Sequence, residues 1–284
     1  MADSITLESP AKVNLRLEIL KKREDGYHEI RTIFQKISLH DTLHFSLSRE
    51  KGIRIKTEHP FLSTGRKNLV YQAVQSMLKR SDYRGGVDIL IKKRIPLGGG
   101  LGGGSSNAAT ALKAIDQLLK MDLGRKELLE EGVKLGADVP FFLMGGSAIG
   151  LGIGERLRKI TLPPLWFILI YPNFEVSTRW AYKHFVLTKT KYHFNLHKLL
   201  KSSKGIASLL KNDLEGVVSK KYTEIDLMKR MLLSQGAVGT LMTGSGPTVF
   251  GLFSKEEEAI EAFQPLKREV KGRGWEIFLA HSIS

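Results

Sequence analysis

Six of the seven positions from Gly98 to Gly104 are glycine, within Pro96-Leu97-Gly98-Gly99-Gly100-Leu101-Gly102-Gly103-Gly104-Ser105-Ser106-Asn107-Ala108-Ala109. Glycine gives up more conformational entropy on folding than any other residue, so such a cluster is costly for a mere connector. Its benefit is that backbone can come very close to a ligand. The stretch lies between an expected strand over 87–95 and an expected helix over 105–120. Ser105, Ser106 and Asn107 are expected caps, so unpaired helical N–H groups and the positive dipole end point back at the loop. That combination is an anion site, most naturally for phosphate. Gly98, Gly100 and Gly103 also fit G-x-G-x-x-G. A dinucleotide fold nonetheless fits poorly, because no strand-ending acid follows at the spacing a ribose needs; Asp116 and Asp122 fall in or just after the helix. A P-loop is excluded, since no Gly-Lys-Ser/Thr follows.

Two further positions could carry chemistry, and each has a plainer reading. In Ala11-Lys12-Val13-Asn14-Leu15-Arg16-Leu17-Glu18-Ile19 apolar and polar residues alternate strictly, so Lys12 and Asn14 share one face of a strand. A lysine on the polar side of a strand is ordinarily just solvated. Asp138 is set among small and apolar residues in Gly136-Ala137-Asp138-Val139-Pro140-Phe141-Phe142, where helix capping is the plainer role.

The elements that must position these groups alternate between strand and helix along the chain. Strands are expected over 5–20, 29–38, 42–47 and 53–57, and helices over 67–80 and 125–135. Gly145 to Gly154 reads as a strand with tight turns, and Pro163-Pro164 as a domain boundary. Beyond it come a buried strand at 165–171, a helix capped by Ser177 or Thr178, a basic irregular stretch over 187–205, and one long helical stretch from Asn212 to about Leu233. A strand, Gly-rich turn and strand over 240–253, a helix over 256–268 and a strand over 275–280 close the chain. The expected domains are 1–162 and 163–284. With 42% hydrophobic and 26% charged residues the composition is that of a globular protein, and the absence of cysteine excludes disulfides and thiolate metal sites. No apolar run reaches membrane-spanning length and no secretory leader is evident, so a soluble cytoplasmic protein without a membrane partner is expected. The net charge of +15 raises nucleic-acid binding, but the basic residues are scattered and accompany no nucleic-acid module, so steering of anionic small molecules is the better reading.

Three separated segments, Pro10-Ala11-Lys12-Val13-Asn14, the loop from Pro96 to Ala109, and Gly244-Ser245-Gly246-Pro247-Thr248, resemble the three motifs of the GHMP small-molecule kinases. Asp25-Gly26-Tyr27-His28, Gly136 to Phe142 and Asn212-Asp213-Leu214-Glu215 are similar to the branch that phosphorylates a cytidylyl-linked methylerythritol for isoprenoid synthesis. The resemblance implies an α+β, two-domain GHMP kinase fold, with a ribosomal protein S5-like N-terminal ATP-binding domain and a ferredoxin-like C-terminal substrate domain. It further implies ATP and Mg²⁺ as cofactors, the nucleotide phosphates being held by Gly98, Gly99, Gly100, Leu101, Gly102, Gly103, Gly104, Ser105, Ser106, Asn107 and Ala108. Lys12 and Asp138 take the catalytic positions, as orienting cation and base. Tyr27 and Tyr182 would stack on cytosine, His28 would read its edge, and Asn14 and Thr178 would contact the rest of the acceptor. The metal ligands stay open, with Ser105 and Ser106 as candidates. The alternatives are a GHMP kinase for mevalonate, homoserine or a sugar, and a basic nucleotide- or RNA-binding protein.

Overall fold

The structure, a computed structural model, describes residues 3–187 and 201–284, and the chain divides into two compact units. Two long strands, β1 (Ser4–Lys22) and β2 (His28–Ser48), contribute to both. The first unit contains His40–Leu97, Gly102–Gly145 and the N-terminal residues up to Ala11. In it β3 (Gly52–Thr57) runs parallel to β4 (Gly86–Lys92), which pairs antiparallel with the second half of β2, matching Leu43 with Ile91 and Phe45 with Ile89. These four side chains are buried, at about 1.5–3 kcal/mol for each such group withdrawn from water. Helices α1 (Leu69–Arg80), α2 (Gly103–Leu119), α3 (Arg125–Leu135) and α4 (Val139–Met144) pack on one another. Ala108, Ala111 and Ala114 give α2 a thin buried face that lets its neighbours approach.

The second unit holds Lys12–Leu39, Gly98–Leu101 and Gly146–Ser284. Its part of β2 pairs antiparallel with β5 (Ser147–Gly152), and β5 with β6 (Arg156–Ile160). Two residues, Lys211 and Asn212, form β8 and lie parallel to β1 beside Arg16 and Leu17. A separate antiparallel sheet contains β7 (Trp166–Tyr171), β9 (Gly239–Met242), β10 (Val249–Phe253) and β11 (Glu276–His281) in the order β11-β7-β10-β9. Helices fill the β7-to-β9 connection: α5 (Thr178–His184), α6 (Ser203–Ala207), α7 (Glu215–Lys221) and α8 (Glu224–Ser234). The connection from β10 to β11 is α9 (Glu256–Gly272). This is the ferredoxin-like split βαβ order expected from the sequence.

Three expectations about elements are corrected. The strands expected over 29–38 and 42–47 are one strand, because Asp41 does not turn the chain. Buried completely, it accepts Lys93 Nζ at 2.6 Å and the amides of Arg94 and Ile95 at 2.8 Å each. Burial pulls the Lys93 ammonium below its usual range and the Asp41 charge opposes this. The long helical stretch after Asn212 is two helices, interrupted at Tyr222, whose extended backbone lets its ring stack on Phe174 at 4.7 Å between centroids. A strand missed in the sequence, β6, follows the expected Gly145 to Gly154 segment. Residues 188–200 of the basic stretch lie outside the described residues.

Candidate active site

The glycine loop is built with left-handed backbone at Gly98, Gly100 and Gly102, at φ of 63°, 78° and 71°. Such angles cost a side-chain-bearing residue about 1–2 kcal/mol. Sterics demand glycine independently at Gly100, where a Cβ would lie 2.2 Å from the Thr243 carbonyl oxygen. A Cβ at Gly246 would lie 2.2 Å from the Gly100 nitrogen. The two glycine-rich motifs of the second unit are therefore pressed backbone to backbone, and part of their glycine content serves that contact.

The caps expected at Ser105, Ser106 and Asn107 are corrected. Helix α2 starts at Gly103 with Gly102 as its N-cap, and no side chain caps it. The Ser106 amide donates to the Gly102 carbonyl at 2.9 Å, so the amides of Gly103 to Ser105 precede the first intrahelical bond. The left-handed turn at Gly102 draws the helix start two residues toward the loop. Gly98 and Gly104 are exposed and Ser105 half-buried, whereas Leu101, Ser106, Asn107 and Ala108 are buried. Ser106 Oγ accepts from Ser9 Oγ at 2.8 Å. Asn107 Oδ1 is buried with no hydrogen-bond partner among the described residues. Next to the loop, Gly103 packs so tightly that a Cβ would sit 3.0 Å from both Ile95 and Lys93 Nζ. The buried Asp41–Lys93 pair thus fixes the strand exit and braces the helix start.

On β1 the polar face expected to be solvated is buried: Lys12, Asn14, Arg16 and Glu18 are 2–5% exposed. Charges withdrawn from water must be paired. Lys12 Nζ donates to Asn14 Oδ1 at 2.5 Å and to the Gly100 carbonyl at 3.0 Å, while the Lys12 amide donates to the Leu101 carbonyl at 3.0 Å. One residue thus pins the loop by side chain and backbone. Further along, Arg16 donates to Glu18 at 2.6 Å and to the Leu209 carbonyl at 2.8 Å, and Arg31 donates to Glu18 at 2.7 Å. Burial pushes the Glu18 carboxyl up, but the hydrogen bonds and charges of Arg16 and Arg31 outweigh it and hold it below the usual carboxylate range. The Asn14 amide donates to Thr243 Oγ1 at 2.9 Å, and Asn212 Nδ2 donates to the carbonyls of Met242 and Gly244 at 2.8 Å each. None of Thr243, Asn212, Arg16 and Glu18 was expected as a site residue, and Asn212 entered only through the Asn212-Asp213-Leu214-Glu215 resemblance. The available signal was a pair of opposite charges two residues apart on an alternating strand.

Asp138, in the first unit, is the N-cap residue of α4, but its side chain makes no cap hydrogen bond. The plainer capping role is thereby removed. Pro140 lies in the first turn of the helix behind it, and α4 packs so closely on α3 that a Cβ at Gly132 would meet Leu143 at 2.7 Å. The carboxylate stands on a rigid corner.

Around the expected acceptor residues, all in the second unit, His28 and Tyr182 come together with ring centroids 5.1 Å apart and planes tilted by 35°. Burial, with the Lys22 charge, lowers the His28 pKa, so the ring is neutral at pH 7 and offers one donor and one acceptor. Tyr27 is 61% exposed, a large aromatic surface left open to a flat partner. Thr178 Oγ1 lies 2.7 Å from Ser245 Oγ, which joins α5 to the Gly244-Ser245-Gly246 turn. Ser177 caps α5 by accepting from the Trp180 amide at 3.3 Å. Among the described residues no cluster of His, Asp and Glu could hold a metal ion by itself.

Comparison with known proteins places the chain in one enzyme class. Residues 68–146 match the family described as GHMP kinases N terminal domain, and residues 196–272 match GHMP kinases C terminal. A 4-diphosphocytidyl-2-C-methyl-D-erythritol kinase from Geobacter metallireducens is 44% identical over 93% of this chain and 94% of its own. One of the same name from Syntrophus aciditrophicus is 45% identical over 97% and 98%. A crystal structure titled 4-(cytidine 5'-diphospho)-2C-methyl-D-erythritol kinase superposes with a TM-score of 0.84 at 33% identity, covering 99% of this chain and 100% of that one. A homoserine kinase from Cytophaga hutchinsonii, 24% identical with a TM-score of 0.77, shares the fold. The chain belongs to the GHMP kinases and, within them, to the 4-diphosphocytidyl-2-C-methyl-D-erythritol kinases.

Proposed function

We propose that this kinase transfers the γ-phosphoryl group of ATP to the 2-hydroxyl of 4-diphosphocytidyl-2-C-methyl-D-erythritol, in the cytoplasm, where ATP is supplied. The observation that carries the choice of acceptor is the pairing of neutral His28 with Tyr182, an arrangement suited to a nucleobase edge and face. Acceptors without a base, such as mevalonate or homoserine, have no use for it. The names of the near-full-length relatives support the same choice.

Phosphoryl transfer needs chiefly positioning and charge stabilisation. The uncapped amides at the start of α2 and the glycine backbone before it receive the nucleotide phosphates. Ser105, half-buried and not tied down as Ser106 is, would offer Mg²⁺ a hard hydroxyl oxygen of the kind that ion takes. The bound ion supplies neutralisation of the phosphate charge. Asp138 accepts the proton of the acceptor hydroxyl as its oxygen bonds to the γ-phosphorus, and the bond to the ADP oxygen breaks. Lys12 offers fixed positive charge to the oxygen that loses its proton. Tyr27, His28 and Tyr182 hold cytosine; Asn14 and Thr178 contact the remainder of the acceptor. In this reading ATP is held within residues 1–162, and the acceptor by Asn14, Tyr27 and His28 of that segment together with Thr178 and Tyr182 of 163–284.

The test is ADP release with Mg²⁺ and the cytidylyl acceptor, with mevalonate and homoserine offered separately, for wild type and Asp138→Asn. Turnover confined to the cytidylyl acceptor, with kcat lowered by about 10² to 10⁴ in the variant, is expected. Turnover of mevalonate or homoserine instead would overturn the acceptor, and a fully active variant would remove Asp138 as base.

A further inference from the structure

Lys12 is an ammonium on a flexible stem, yet catalysis by charge needs that ammonium held in place. One of its anchors, the Gly100 carbonyl, is backbone. Another, Asn14 Oδ1, belongs to an amide that could equally present its NH₂ group. Presented that way round, Asn14 would offer a donor to a donor and Lys12 would lose the contact. Something must set the amide.

Thr32 lies opposite it on β2, completely buried. Its Oγ1 donates to the Arg16 carbonyl at 2.7 Å, and Asn14 Nδ2 lies 2.7 Å from the same oxygen. A hydroxyl has one proton to give, and here the carbonyl takes it. Only a lone pair is left to face Asn14, and a lone pair accepts from NH₂ alone. Oδ1 must therefore turn to the other side, where Lys12 Nζ stands at 2.5 Å. The Arg16 carbonyl that takes this proton, and so starts this relay, belongs to a residue whose guanidinium is held by Glu18 and the Leu209 carbonyl. We infer that Thr32 is a positioning residue for phosphoryl transfer, acting through the Asn14 amide to aim the Lys12 ammonium. The inference rests on the proposed role of Lys12, and it touches neither nucleotide nor acceptor directly.

Valine is close to threonine in shape and lacks the hydroxyl, so Thr32→Val removes the relay with little change in volume; Thr32→Ala does the same should the valine protein not fold. Either is expected to lower kcat by about 10-fold to 100-fold, the scale of a displaced catalytic group, with the KM for ATP held within about twofold. Thr32→Ser, which keeps the hydroxyl, should restore most of kcat. Combined with Lys12→Ala, Thr32→Val should add nothing, because the group it aims is gone. Wild-type kcat in Thr32→Val, equal loss in the serine and valine proteins, or a full Thr32→Val effect on the Lys12→Ala background would each overturn the inference.

The amide itself can be followed by NMR without any turnover. The Asn14 side-chain NH₂ should be protected from hydrogen exchange in wild type and lose that protection in Thr32→Val. If wild type phosphorylates no acceptor, the functional reading fails, and unchanged Asn14 protection in the variant separately overturns the relay.

Discussion

Helices α2 and α5 meet the same requirement in opposite ways. Each must begin with amide groups that have no partner inside the helix. At α5, Ser177 places a hydroxyl on the Trp180 amide, and the helix that carries Thr178 and Tyr182 is closed by its own side chain. At α2 the cap is Gly102, which has no side chain to offer, although Ser105 and Ser106 stand close by in sequence. A hydroxyl cap there would occupy the donors an anion needs. The difference teaches that a helix start closed by protein holds residues in place, while one left open on left-handed glycine backbone keeps its amide donors available.

Placing a side chain in the open region should have the largest effect. Gly100→Ala adds left-handed strain of about 1–2 kcal/mol to a clash 2.2 Å from the Thr243 oxygen, and overpacking typically costs about 1–3 kcal/mol more. Chemical denaturation should show that loss, together with a raised KM for ATP. Tyr182→Ala probes the residues that the closed start supports. Removing a stacked aromatic is worth roughly 1–3 kcal/mol per base, so kcat/KM for the cytidylyl acceptor should drop about 5-fold to 150-fold with the KM for ATP unchanged. Ser177→Ala opens the closed start itself. At 3.3 Å the bond is long, so a cost near the low end of cap losses, about 0.5 kcal/mol, is expected in thermal melts. An effect as large as that of Gly100→Ala would show that the two starts do not differ as described.

The smallest effect expected is a pH dependence. Because the folded His28 pKa is lowered beneath the ordinary 6.5, the unfolded chain takes up a proton near that pH that the folded chain refuses. Stability is therefore full above 6.5 and falls with acidification below it. The KM for the acceptor should follow: flat from alkaline pH down through 6.5 and rising only further into acid. A rise centred above 6.5 in initial-rate measurements would contradict a half-buried neutral ring.

Lys12 and Asp138 each had a plainer local reading and took their catalytic positions only from the resemblance, whereas the glycine run was legible in the sequence as a local signal. The pattern of strands and helices was legible for the same reason, since α3 and the strand-turn-strand over 240–253 have strong periodicity and clear breakers. What stayed hidden depends on distant partners. Alternation on β1 placed Lys12, Asn14, Arg16 and Glu18 on one face correctly, but nothing nearby reveals that Thr32, Leu209 and β8 cover that face. Asp41 looks like a turn residue until Lys93, fifty-two positions on, supplies its counter-charge. Ser105 looks like a cap because its type is right; only the left-handed backbone at Gly102 shows that the helix has already begun.

The backbone contact between Gly100 and Gly246 also bears on the calorimetry of nucleotide binding. A run of six glycines in a free loop would surrender its disorder when ATP arrives, and each ordered residue would subtract roughly 1–2 kcal/mol from the affinity. Here Gly246 packs against Gly99 and Gly100, so for that part of the run the surrender happens once, as the protein folds. Titration with ATP should accordingly show only a small unfavourable entropy from the protein, and the association rate should not wait on a slow ordering step.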